Sequence, residues 1–83
     1  MTVKVLKSGA KTVVGVKQTL RVINNEQAKK VFVAVDADEH VTAPIIAACI
    51  SRKVAWEEVS SMQELGQACG IHVKAATAAV LKD

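Results

Sequence analysis

Val31-Phe32-Val33-Ala34-Val35 is the stretch that most restricts the fold. Its apolar character is continuous rather than alternating, which marks a strand covered on both faces. Such a strand needs a layer of structure on each side. A chain of 83 residues builds only one core of modest size. The run therefore predicts the middle of a sheet within a single domain spanning residues 1–83.

The flanking segments supply the layers. Residues 1–11 are basic and weakly patterned, and Ser8-Gly9-Ala10-Lys11-Thr12 is a poor match to a phosphate-binding P-loop, with Ala10 where glycine belongs. Thr12-Val13-Val14 is a β-rich run stopped by Gly15. Val16, Leu20 and Ile23 then recur at helical spacing, and Asn24-Asn25 is a suitable stop because asparagine tolerates the left-handed conformation. After the central strand comes an acidic turn, Asp36-Ala37-Asp38-Glu39-His40. Thr42 is the expected cap of the next helix, with Pro44 in its first turn and Arg52-Lys53 at its end.

Val54–Val59 reads as a strand at or near an edge. Ser61-Met62-Gln63-Glu64 fits the S-x-x-E capping box, and Gly70 closes that short helix. For the alanine-rich tail, Ala75–Leu81, propensity favours a helix, but the sheet needs another strand and the tail is assigned to it. The order strand–helix–strand–helix–strand–helix–strand predicts an alternating α/β sandwich.

Charge narrows the partners. Residues 1–35 carry seven cations against Glu26, a balance of +6, whereas residues 36–83 balance to −3. A basic N-terminal half implies an anionic partner. No apolar run approaches a membrane span, and the Met1 start has no export signal. Cys49 and Cys69 have no C-x-x-C spacing, which predicts free thiols in a cytoplasmic protein.

Enzymatic chemistry finds little support. The run Val31–Asp38 ends in D-x-D, as in haloacid-dehalogenase phosphatases, where one Asp attacks phosphate and the other acts as acid and base. Glu39-His40 replaces the usual following residues, the chain is too short for the usual core, and no phosphate-binding lysine with a further acidic motif is evident. An acidic turn explains the two Asp equally well. His40 and His72 have no third ligand for zinc. The expectation is a protein that is not an enzyme and holds no metal or cofactor.

Gly15-Val16-Lys17-Gln18-Thr19-Leu20-Arg21 has more to offer. A glycine precedes a helix whose first exposed positions are Lys17, Gln18 and Arg21. Unpaired amides and the helix dipole at such a start favour an anion. With only Phe32 and Trp56 as aromatics, stacking on single strands is disfavoured. A shape-specific nucleic-acid mode using Lys, Gln and backbone amides remains.

These stretches resemble the L-seven-Ae ribosomal protein family, binders of kink-turn RNA. Gly15–Arg21 looks like its recognition turn. Gln63-Glu64-Leu65-Gly66-Gln67-Ala68-Cys69-Gly70-Ile71 looks like its L-G-x-A-x-G signature, and Ile71-His72-Val73 and Ala75-Ala76-Thr77 follow in the family's order. Length and the Lys17-Gln18 pair are most similar to the small bacterial, YbxF-like branch.

The resemblance implies a three-layer α/β/α sandwich with a mixed four-stranded sheet, acting as an RNA-binding protein; the alternative is a protein-interaction module of the same fold without RNA binding. A monomer is the default for a small binder whose sheet is covered on both faces. Its target would be a kink-turn, an internal loop with tandem sheared G·A pairs beside a sharp bend, in ribosomal or regulatory RNA. A-form RNA has a major groove too narrow for side chains, and the bend opens it. Gly15 would allow close backbone approach. Lys17 and Gln18 match base-reading positions and Arg21 a basic position against RNA; Thr19, in the same turn, is either a packing or turn-fixing residue or a base contact. Ile71, His72 and Val73 match an apolar loop packed on a flipped-out nucleotide. The chain departs from the archaeal and eukaryotic members, which usually carry Asn-Glu at Lys17-Gln18. Met62 stands where several members are basic, and Glu39 replaces the usual proline.

Overall fold

The computed structural model describes residues 11–70 and 73–82; the weak P-loop match lies mostly outside them. Strand β1 (Thr12–Val14) is followed by α1 (Val16–Asn24), β2 (Ala28–Ala34), α2 (Glu39–Arg52), β3 (Ala55–Val59), α3 (Met62–Ala68) and β4 (Thr77–Leu81). The strands form one sheet in the order β1-β4-β2-β3. β4 is antiparallel to β1 and β2, and β2 is parallel to β3. The alternating order and the mixed four-stranded sheet expected from the sequence are both present.

β2 is the central strand, and its side chains alternate between two cores. Phe32 and Ala34 pack with Leu65 and Ala68 of α3 and with Ala78 and Val80 of β4. Val31 and Val33 pack with Val22 and Ile23 of α1 and with Ile45 and Cys49 of α2. Burying each large apolar side chain contributes about 1.5–3 kcal/mol. Two of the described helices on one face and one on the other make the α/β/α layering.

The alanine-rich tail is a strand. Its helix propensity is overridden because β2 needs a partner for its backbone groups, and the small side chains of Ala78 and Ala79 let both helical layers approach. No helix of the described residues is long and apolar enough to cross a membrane.

Three local expectations are corrected. The cap of α2 is Asp38, not Thr42: the Asp38 carboxylate accepts from the His40 N–H at 2.8 Å, so the helix starts earlier and Pro44 falls inside it. Thr42 is instead buried on the packed face. At the end of α1, Asn25 keeps φ −90° and Glu26 takes the left-handed φ of 58°. Finally β2 stops at Ala34; the Val35 N–H still donates to the Val59 carbonyl at 2.9 Å, but the residue is 54% exposed.

Candidate nucleic-acid interface

The topology gathers one set of chain ends. Because β4 opposes β1 and β2, and β3 parallels β2, the strands β1, β2 and β3 finish where β4 begins. All three described helices start at that end. The Gly15 turn, the Asp36–Asp38 turn and the Val73–Ala76 segment therefore share one end of the domain.

Of the three helix starts, only that of α1 is left open. Asp38 caps α2, which carries Glu39 in its first turn. At α3 the Ser61 hydroxyl accepts from the Glu64 N–H at 3.0 Å, the Asp36 carboxylate accepts from the Met62 N–H at 2.8 Å, and Glu64 accepts from the Ser60 hydroxyl. α1 has no side-chain cap and no acid in its first turn. Lys17 and Gln18 are exposed in that first turn, where the dipole and the Lys17 charge have the same sign, and exposed Arg21 follows one turn later in the last turn of the helix.

Gly15 sets this geometry. Its φ of 104° and ψ of 156° lie in a region that essentially only glycine occupies. A Cβ there would touch nothing within 4 Å, so the requirement is conformational. The Gly15 N–H donates to the Thr77 carbonyl at 3.0 Å, and its own carbonyl accepts from the Thr19 N–H at 2.9 Å. The helix start is thereby fastened to the first residue of β4.

Thr19 does not sit where a contact residue would. Its side chain is fully buried, and its hydroxyl accepts from the Thr77 hydroxyl at 3.2 Å. Of the two roles open to it, base contact and packing or turn-fixing, the burial fits the second, and its place among the RNA-binding residues is corrected to a positioning one, because a side chain with no surface cannot touch a ligand.

The second half of the expected grip is the loop before β4. Val73 is 69% exposed, and Ile71 and His72 lie outside the described residues. Gly66 of α3 fixes the loop's course, since a Cβ there would overlap the Val73 carbonyl oxygen. The Ala75 N–H donates to the Met62 carbonyl at 3.1 Å, and the Ala34 N–H to the Ala76 carbonyl at 2.9 Å. The glycine of the L-G-x-A-x-G signature is thus the seat of the loop that follows it.

Sequence reasoning overlooked Val35 and Lys74, both exposed at this end. Val35 was hidden by its place in an apolar run; Lys74 directly follows the apolar loop, a signal that was readable. Asp36 and Asp38, the D-x-D pair, cap two different helices. Among the described residues no group of three or more His, Cys, Asp or Glu is placed to hold a metal. Phe32 is fully buried and Trp56 half-buried. Cys49 and Cys69 are free; burial pushes the Cys49 thiol up to about 11 and that of Cys69 upward as well.

The model of the ribosomal protein L7Ae/L30e/S12e/Gadd45 family matches residues 1–83. The chain belongs to that family. An RNA-binding protein of Caldanaerobacter subterraneus is 46% identical over 69 residues, covering 83% of this chain and 84% of its own. The RNA-binding protein YbxF of Geobacillus stearothermophilus is 43% identical over 79 residues, covering 95% of each chain. Among solved structures, the Giardia lamblia 15.5kD RNA binding protein superposes with a TM-score of 0.85 at 28% identity, over 98% of this chain and 68% of its own. A Bacillus halodurans protein of unknown function gives 0.84 at 22% identity, over 96% and 80%, a likeness of fold alone.

Proposed function

We propose that this protein binds RNA and recognises kink-turns, stabilising the bent form as a monomer in the cytoplasm, on ribosomal or regulatory RNA. One observation carries the reading: α1, the one uncapped helix start among the described residues, carries exposed Lys17 and Gln18 in its first turn, with Arg21 one turn further on, and is held by glycine-only backbone at Gly15. The amides of α1 and the Gln18 amide supply donors for base edges and phosphate, with Gln18 also accepting. Lys17 and Arg21, one turn apart on one face, supply charge. The exposed Val73 offers apolar surface to a base turned out of the stack.

The names of the relatives support RNA as the partner class. The test is an electrophoretic shift with a kink-turn RNA and with the same RNA whose G·A pairs are changed to Watson–Crick pairs. Retardation of the first at far lower protein concentration is expected. Equal binding of both removes the kink-turn reading.

A further inference from the structure

The opposite end of the domain carries a second basic site. There β2 and β3 begin, α2 ends and β4 finishes, and a cleft of about 250 Å³ opens between them. Lys29, Arg52, Lys53 and Lys82 line it, against one acid, Glu26. Among the described residues the one ion pair is Lys30 with Glu57, at 3.0 Å, so none of those four cations is in contact with a described carboxylate.

The backbone is irregular at this cleft. The only described non-glycine residues with positive φ, Glu26 at 58° and Lys53 at 57°, both line it. Pairing with β4 shifts between Ala28 and Lys30, which makes Lys29 a bulged residue; bulges re-aim side chains. Glu26 and Lys53 both end a helix, where left-handed backbone is common, and it sets the course of the chain at the cleft's rim. The carbonyls at the end of α2, which would repel an anion, are partly occupied: the Lys53 N–H donates to Ile50 and the Val54 N–H to Cys49. The Lys82 N–H donates to the Gln27 carbonyl at 2.8 Å, which fixes the backbone of that cation beside the cleft.

We propose that this cleft is a second RNA site, binding the phosphodiester backbone of an A-form stem without reading sequence. Its lining holds no aromatic to stack a base and no large apolar anchor of the kind that dominates protein interfaces. What remains is a set of point charges, the chemistry of backbone contacts. The seven residues of β2 separate it from the Gly15 end by roughly 23 Å, so the protein joins two RNA segments. The assignment stands independently of kink-turn recognition.

The test measures binding of a perfectly paired RNA duplex by fluorescence anisotropy across a salt series, using the full chain. The triple variant Lys29→Ala/Arg52→Ala/Lys82→Ala is expected to bind the duplex at least about tenfold more weakly, with a log–log salt slope shallower by about 2–3. Its preference for kink-turn RNA over the Watson–Crick control is unchanged. Lys53→Gly removes a charge and relieves left-handed backbone, so it folds and binds the duplex several-fold more weakly. Wild-type duplex affinity in Lys53→Gly and the triple variant overturns the proposal, as does no duplex binding by the wild type. Amide shifts of Lys29 and Lys53 on adding inorganic phosphate, with duplex affinity unchanged in the variants, assign the cleft to a small anion and also overturn it. Absence of kink-turn preference in the wild type bears on the other end alone.

Discussion

The Thr77 hydroxyl donates to the Thr19 hydroxyl at 3.2 Å, with both side chains fully buried. This bond joins the first residue of β4 to the first turn of α1, and the Thr77 carbonyl also takes the Gly15 N–H. One residue therefore holds the open helix start by two bonds, while the loop carrying Val73 runs directly into it.

Thr77→Val removes that donor but keeps the side-chain shape. The Thr19 hydroxyl is left buried without its partner, at a cost of about 1–3 kcal/mol. The expected result is a lower thermal midpoint, with weaker RNA binding because the helix start loosens. Thr77→Ser, which keeps the donor, should recover most of the binding. A Thr77→Val protein as stable as the wild type would show that the pair is not a fastening.

Gly15→Ala separates conformation from space. A Cβ meets nothing within 4 Å, yet φ of 104° and ψ of 156° are glycine-only, so the strain costs about 1–3 kcal/mol. The chain is expected to fold, melt at lower temperature and bind kink-turn RNA more weakly, because the turn must change φ to relax. Denaturant unfolding alongside the electrophoretic shift checks both halves.

Gly66→Ala acts by the opposite route. Its Cβ would overlap the Val73 carbonyl, and backbone cannot yield as a side chain tip can. The loop must move off α3, which endangers the Ala75–Met62 bond. A loss of about 1–3 kcal/mol, typical of overpacking, is expected. Binding to RNA should fall while Lys17, Gln18 and Arg21 are untouched, which heteronuclear spectra of α1 would confirm.

The division between what was legible in the residues and what was not follows physical lines. The Val31–Val35 run announced a strand covered on both faces, because burial acts on every side chain of such a strand. The open start at Gly15 was readable because glycine and basic residues have strong local meaning. Thr19 stayed open between packing and base contact because it lies within a basic turn, and only the far partner Thr77 shows that it points inward. Asp38 rather than Thr42 caps α2: Pro44, which suits a first turn, drew the expected start to Thr42, while the acidic turn supplies the cap four residues earlier. The tail was decided by the sheet's need for a partner and not by alanine's helix propensity. The cleft around Lys29 and Lys82 joins residues distant in the chain through strand register, which no local signal carries.

The Cys49 thiol is fully buried and raised to about 11 by loss of solvation. In the unfolded chain it titrates near its ordinary value of 9.0. Between those two values the unfolded state releases a proton that the folded state keeps, so stability falls as pH rises from about 9 to about 11. Below that window this group contributes no pH dependence. A thiol reagent at neutral pH should label Cys49 only at the rate of unfolding. Replacing it with alanine should flatten the alkaline decline, at the cost of a small cavity.

Lys17→Ala with Gln18→Ala tests the interface itself. Both side chains are exposed, so the fold should melt within about 0.5 kcal/mol of the wild type. Kink-turn preference should disappear, because base-edge donors and the first cation are gone together. Arg21→Ala alone should differ in kind: weaker binding to every RNA and a salt slope shallower by about 1, with the preference kept, as a phosphate contact requires. If the double variant keeps its preference for the kink-turn over the Watson–Crick control, the open start of α1 is not the reading head.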